Sequence, residues 1–372
     1  MNRSLRVAFD NSLTRRNLAG TGTYTSHLIR ELRTAADLKV EVFDGPDLGR
    51  DGNGTMHRVL RRMANVYWSR STLPQLLREG RFDVLHGPAF VIPRNCPCPS
   101  VVTIYDLSFL LFPSHFRGRW GAYVASHMLS ILRLASAVIC LSNQTKQDLM
   151  KFYKVSPEKV RVVYCGVDHS RFHQKARFDP EWASKVGMRD GYVLHVGSLA
   201  ARKNIPTMLR AVAHLRSKGK WGNRQVVLSG SESRGLPGAA EVYETIEQFD
   251  LTEIVLLPGH VPDDQVPGLY AQAGVLVMPT LYEGFGLPVL EAMASGTPVV
   301  ASNNSSIPEV AGDAALLVPT SDHLAMADAI ERILENPQIA AQLRAAGLVQ
   351  AQKFSWQRMA AETIAIYRSV AK

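Results

Sequence analysis

Two glutamates eight residues apart, Glu283 and Glu291, bracket two glycines and a proline in the stretch PTLYEGFGLPVLEAMASGTP (279–298). An apolar run, VLVMP (275–279), leads into a polar loop that holds Glu283, Gly284, Phe285 and Gly286. Pro288 stands where a helix opens, because the first helical turn needs no N–H at that position. LEAMA continues the helix, with Glu291 in its first turn, and Gly296 ends it. A strand–glycine loop–helix arrangement aims free backbone N–H groups and the positive end of a helix dipole at one spot, which binds phosphate. Carboxylates are repelled by phosphate, so the partners expected for Glu283 and Glu291 are hydroxyl groups beside it. A phosphate flanked by hydroxyls describes a nucleotide sugar. The competing reading is an ordinary Rossmann-type turn with solvated glutamates. A second candidate cluster is GSLAARKN (197–204), where Ser198 and then Arg202-Lys203 follow another strand. A planar guanidinium fork and a compact ammonium both suit a diphosphate, although an isolated basic pair is usually a solvated turn.

Both clusters need strands to hold them. Apolar, β-branched runs recur through the first half at LRVAFD (5–10), VEVFDG (40–45), FDVLHG (82–87), SVVTIYD (100–106), AVICLS (137–142) and VRVVYCG (160–166). Six more follow at YVLHVGS (192–198), QVVLSG (225–230), IVLLPG (254–259), VLVMPT (275–280), PVVAS (298–302) and AALLVP (314–319). Continuous apolar strands alternating with amphipathic stretches imply parallel sheets covered on both faces, hence an α/β chain with two doubly wound domains. The expected division is residues 1–170, a charged linker at 171–190 that lacks strand pattern, and a second domain at 191–353.

At 372 residues the chain is long for one core, and 46% hydrophobic with 8% aromatic residues is ordinary globular composition. MNRSLRVAFD carries no apolar leader, and no run reaches the roughly 18 apolar residues of a spanning helix, so a cytoplasmic location is expected. Cys96, Cys98, Cys140 and Cys165 lack zinc-like spacing and read as free thiols; no metal site is expected. Residues 1–170 hold 23 Lys+Arg against 13 Asp+Glu, so the whole positive excess lies there. Such a surface favours phosphates, including anionic lipid at the inner face of the membrane, unless it serves only solubility. No recognised module or aromatic–basic interleaving supports nucleic-acid binding.

The stretch EGFGLPVLEAMASGTPVV (283–300) resembles the signature of retaining glycosyltransferase family 4, enzymes of the GT-B fold. The resemblance implies two Rossmann-like domains facing across a cleft, the first on the acceptor side. It also implies that the terminal segment 354–372 crosses back to the first domain as a helix. By resemblance, Glu283 faces the donor sugar's hydroxyls, Glu291 holds the ribose, and the backbone of Gly286 and Leu287 meets the diphosphate. Arg202 and Lys203 would neutralise the leaving diphosphate, a role that other enzymes give to a metal, so neither metal nor cofactor is expected. His260 and Val261, in PGHVPDDQVPGLYAQA (258–273), would lie beside the base. Retention without an enzymic nucleophile implies front-face attack. The pattern looks most like bacterial mannosyltransferases, which favours GDP-mannose as donor and a saccharide or polyprenyl-linked acceptor in surface polysaccharide synthesis.

The first half matches less closely. Gly20 and Gly22 precede a helix expected to open near Thr23; by resemblance they close over the diphosphate, with Arg15 and Arg16 on a mobile segment before them. They are also half of a dinucleotide fingerprint, with Asp44 as a possible ribose ligand. Asp106 matches the family, either at the reacting sugar or as a strand-end cap, but Tyr105 replaces the usual preceding His. A tyrosine can donate a hydrogen bond and will not accept a proton near neutral pH. LSFLLFP (107–113) with Arg117, Arg119 and Trp120 is expected to pack rather than touch lipid. His86 and His195, in apolar strands, are expected to be hydrogen-bonded core residues. Two alternatives stay open: a non-catalytic nucleotide-sugar-binding protein, and another GT-B activity such as an epimerase.

Overall fold

The computed structural model describes all residues except 1–3, 16–19, 47–54, 116–119, 231–234 and 372. Among the described residues, twelve short strands form two separate six-stranded sheets, parallel throughout. The first contains β1 (Leu5–Asp10), β2 (Leu38–Phe43), β3 (Val84–Gly87), β4 (Ser100–Ile104), β5 (Ala137–Cys140) and β6 (Val160–Val162), in spatial order β2-β1-β3-β4-β5-β6. The second contains β7 (Val193–Val196), β8 (Val226–Ser229), β9 (Val255–Leu256), β10 (Val275–Met278), β11 (Val299–Ser302) and β12 (Leu316–Val318), in order β12-β11-β10-β7-β8-β9. Every residue of β3, β4, β5, β8, β10 and β11 is buried, as expected of strands covered by helices on both faces.

Contacts divide the chain into two units, one of Met1–Leu107, Ala122–Gly166 and Trp356–Lys372, the other of Ser108–Gly121 and Val167–Ser355. The terminal helix Trp356–Val370 thus belongs to the first unit, where the Trp356 indole stacks on the His27 ring at 4.3 Å. Within 171–190, a short helix, Pro180–Val186, is capped by the Asp179 side chain and stopped by Gly187 at φ 76°.

In the first unit, the helix after β1 opens at Gly20, three residues before the expected Thr23. Gly20 and Gly22 therefore lie in its first turn, not in a loop. Glycines and β-branched threonines are poor helix formers, so GTGTYT hides its helical state from propensity. The Thr25 hydroxyl bonds back to the Thr21 carbonyl at 2.8 Å. His86 is fully buried, Nδ1 lying 2.6 Å from Tyr367 Oη and Nε2 2.8 Å from Thr103 Oγ1. Burial alone holds this imidazole neutral, with its pKa lowered to about 3.

Candidate functional site

In the second sheet the winding reverses between β7 and β10. These neighbours pair in parallel at Val193–Val275 and Leu194–Leu276, and the chain leaves β7 towards β8 but reaches β10 from the far side. Open α/β sheets bind ligands beyond the strand ends at such a switch point. Arg202 and Lys203 follow β7, and Glu283 follows β10, so the switch point brings the two sequence clusters into contact.

Glu283 is buried, and its Oε1 accepts three hydrogen bonds: from Lys203 Nζ at 2.7 Å, Arg202 Nη1 at 2.9 Å and Thr280 Oγ1 at 2.9 Å. Burial raises the carboxyl pKa, but the two adjacent cations and the hydrogen bonds outweigh it and lower the pKa to about 2. Lys203 is only 6% exposed. Each member of this cluster is positioned from several elements. The 3₁₀ turn Ala201–Lys203 is held where Ala201 N–H donates to Pro237 O at 2.7 Å. Gly238, at φ 93°, allows that approach, since a Cβ there would stand 2.4 Å from Ala201 Cα. Asn204 takes the left-handed conformation, and its side-chain amide donates to Pro279 O and Thr320 O. Leu281 N–H donates to Arg202 O at 2.8 Å, closing the two strand ends on each other. Below the loop, Glu283 N–H donates to Ser305 Oγ, while the Ser306 hydroxyl lies 2.9 Å from Glu283 O and 2.7 Å from Phe285 O.

The helix after this loop runs Leu287–Ala294, with Gly286 before it at φ 110°. A Cβ on Gly286 would meet Ile307 Cδ1 at 2.9 Å, so both the backbone and its neighbour favour glycine. Pro288 occupies the first turn and has no N–H, while Val289 N–H donates to Gly286 O at 3.0 Å. Glu291 is the fifth helical residue, just past the first turn in which the sequence reading placed it, because the helix opens one residue before Pro288 at Leu287. It is half-buried, and its Oε2 accepts from Tyr270 Oη at 2.7 Å. Desolvation dominates here and raises its pKa to about 7, against the Tyr270 hydrogen bond and the attraction of Arg171.

The remaining expected residues are more scattered. Ser198 is half-buried just past β7, His260 is exposed, and Val261 is buried beside it. Gly20, Gly22 and Asp106 belong to the first unit, where Asp106 is half-buried two residues after β4. Tyr105 is buried, with Oη 3.5 Å from Thr25 Oγ1, and burial holds its phenol pKa well above the usual value. Arg16, Arg117 and Arg119 lie outside the described residues, as does the side chain of Trp120. Phe109 in the neighbouring LSFLLFP run is buried, in keeping with packing. His195 meets half its expectation: Nδ1 lies 3.0 Å from Val277 O, whereas the buried Nε2 has no partner. All four cysteines are free thiols. Among the described residues, no three His, Cys, Asp or Glu side chains are grouped to hold a metal ion. Thr280, Tyr270, Ser305 and Ser306 were not foreseen; for the two serines the signal available was the polar run SNNSS (302–306) at the end of a buried strand.

Residues 18–171 match the pattern of glycosyltransferase family 4, and residues 179–349 that of the glycosyl transferases group 1. An MMP alpha-(1->4)-mannosyltransferase of Mycolicibacterium hassiacum is 31% identical over 78% of this chain and 71% of its own length. The chain belongs to glycosyltransferase family 4. This glycosyltransferase is also 27% identical to the O-antigen chain mannosyltransferase B of Escherichia coli, over 98% of its own length and all of that protein. Its fold is GT-B: sucrose-phosphate synthase from Thermosynechococcus elongatus superimposes with a TM-score of 0.77 at 21% identity, over 98% of each chain. As a hexosyltransferase, it has no use for the dinucleotide reading of Gly20 and Gly22. Asp44 in any case accepts from Asn11 Nδ2 at 2.7 Å.

Proposed function

We propose that this glycosyltransferase moves mannose, with retention of configuration, from GDP-mannose to a saccharide or polyprenyl-linked acceptor in cell-surface polysaccharide synthesis. The observation that carries the reading is the Glu283–Arg202–Lys203 cluster at the switch point of the second sheet, in the loop that leads into the helix Leu287–Ala294. Glu283 Oε1 is taken by three donors, which leaves Oε2 to accept from a sugar hydroxyl. One carboxylate against two cations leaves a net positive charge for a diphosphate, and the N–H groups at Gly286 and Leu287 add to it. The charge that develops on the leaving nucleotide would thus be stabilised by side chains and a helix end, without a metal. Glu291, three residues beyond Pro288, has a free Oε1 for ribose hydroxyls. Mannose and the polysaccharide setting are supported by the two mannosyltransferase relatives, one of which acts on O-antigen chains. A lipid-linked acceptor would bring the enzyme to the inner face of the membrane as a peripheral protein; among the described residues no helix is long and apolar enough to cross it.

The test is nucleotide release from GDP-, UDP-, dTDP- and ADP-sugars in the presence of EDTA, for wild type and Lys203→Ala. Release from GDP-mannose alone, lost in the variant, is the expected result. Release only from another donor would replace GDP-mannose, and dependence on a divalent cation would overturn the metal-free account. Donor binding with no release to any acceptor would point to the non-catalytic reading.

A further inference from the structure

In the first unit the segment between β3 and β4 sets two thiols side by side, Cys96 Sγ lying 3.9 Å from Cys98 Sγ. In CPCP (96–99) prolines alternate with the cysteines, and each fixes its own φ, so the backbone beneath the pair has little freedom to turn the thiols apart. Residues two apart span about 7 Å when fully extended, and Pro97 holds the pair short of that, within the separation a disulfide can bridge. Both cysteines are half-buried at the margin of a small core that includes Leu73, Leu77, Phe82 and Leu85, so neither is sealed from solvent.

The other two cysteines are the contrast. Cys140 in β5 and Cys165 are buried, and burial pushes both thiols well above the usual range. Hydrogen bonding instead splits the half-buried pair. With the Cys98 thiol donating to Cys96 Sγ, the Cys96 pKa is lowered, while the same hydrogen bond and burial raise that of Cys98. An activated thiol with a second thiol in contact is what thiol–disulfide exchange requires, one to attack and one to resolve.

We propose that Cys96-Pro97-Cys98 is a thiol–disulfide exchange site, which a low-molecular-weight disulfide of the glutathione class oxidises reversibly to an intrachain disulfide. The Cys96 thiolate attacks one sulfur of glutathione disulfide, forming a mixed disulfide and expelling one glutathione thiolate. Cys98 then gives its proton to solvent and attacks Cys96 Sγ, expelling the second glutathione. The protein gives up two electrons and two protons, and the small disulfide takes them up as two thiols. Closing the bond draws the sulfurs from 3.9 Å to about 2.05 Å, a movement shared between two side chains. The donor cluster belongs to the second unit, so the inference stands whichever sugar is transferred.

The test is incubation of the full chain with glutathione disulfide, an acid quench, alkylation under denaturing conditions, and mass spectrometry of the intact chain and its peptides. Wild type is expected to fall from four alkylated cysteines to two, with the peptide that holds both Cys96 and Cys98 lighter by two hydrogens. Reduced glutathione should restore all four. Cys98→Ser removes the resolving thiol and should trap one glutathione on Cys96, whereas Cys96→Ser should carry about tenfold less adduct after the same incubation. The wild-type result needs no variant, so a substitution that disturbs folding leaves it standing as a test. Four alkylated cysteines in oxidised wild type would overturn the inference, as would loss of Cys140 and Cys165 to the same extent or thiols lost only to disulfide-linked dimers. Equal adducts on the two variants would overturn the assignment of Cys96 as the attacking thiol.

Discussion

Glu283 and Glu291 share one loop and helix, yet their environments drive them in opposite directions. Two cations and a threonine hydroxyl surround Glu283, and its carboxyl pKa falls to about 2. A single phenol meets Glu291, and desolvation raises its pKa to about 7. Neither outcome belongs to the glutamate itself. The neighbours of Glu283 arrive from the end of β7 because the strand order reverses there, while Tyr270 arrives from the helix Val266–Ala271 that precedes β10. One carboxylate is thereby fixed as a permanent anion, and the other is left close to its titration point at neutral pH.

Removing Glu283 should break this contrast most severely. Glu283→Ala removes the carboxylate shared by Lys203 and Arg202, and breaking such a buried pair typically costs about 3–5 kcal/mol. Urea denaturation should show that loss, together with the loss of nucleotide release. The acid limb sharpens the same point. A depressed carboxyl pKa gives stability that is complete above its unfolded value of 4.5 and fades as pH falls towards 2. Wild type should therefore lose its advantage over Glu283→Gln through that window. An advantage unchanged down to pH 2 would mean that the cations do not set the ionisation of Glu283.

Gly286 separates the two carboxylates, and its substitution should have the next largest effect. Gly286→Ala forces a side chain to φ 110° and against Ile307, at a cost of about 1–3 kcal/mol. Gly187→Ala is the control, since Gly187 is also left-handed, at φ 76°, but has open space around it. The Gly286 variant should lower the urea midpoint further than the control and weaken donor binding, which the control leaves intact. Equal effects of the two would show that the Ile307 contact carries no weight.

The fold was legible because inner strands such as β5 (AVIC) and β10 (VLVM) are unbroken apolar runs, and runs buried on both faces leave few alternatives to parallel sheets. Eleven of the twelve expected runs contain the observed strand; VEVFDG (40–45) only overlaps β2, which starts at Leu38, and β9 shortens to Val255–Leu256. The site was legible as far as local chemistry reaches. Glycines, a proline and charged residues near strand ends marked Arg202, Lys203, Glu283 and Glu291. Their pairing was not legible, because the Lys203–Glu283 contact spans 80 residues and exists only once β10 lies beside β7. Tyr270 was hidden for the same reason.

Glu291 offers a subtler test of the contrast. Ribose hydroxyls are better accepted by its ionised form, so donor kcat/KM should rise as pH increases through about 7. The stability it contributes runs the other way: a raised carboxyl pKa favours the fold below the unfolded value of 4.5 and loses that contribution as pH rises through 7. Glu291→Gln cannot ionise, so both dependences should disappear from that variant, with kcat/KM about tenfold below the wild-type plateau. A rise in kcat/KM that persists near pH 7 would assign the titration to another group.

The smallest expected effect isolates the hydrogen bond from the desolvation. The phenol of Tyr270 stabilises the Glu291 anion by donating to Oε2 at 2.7 Å, against the larger, opposing effect of burial. Tyr270→Phe keeps the ring, and hence its edge contact with Phe172 at 5.8 Å, while removing only the donor. A hydrogen bond to a charged group is worth about 1.5–3 kcal/mol, part of which water entering the half-buried site recovers, so the midpoint of the kcat/KM profile should move up by about one pH unit. The plateau above it should stay near wild type, because the ionised carboxylate still meets the ribose. A midpoint that stays in place would show that Tyr270 only packs against Glu291. A downward move would show that the phenol had been holding the proton on.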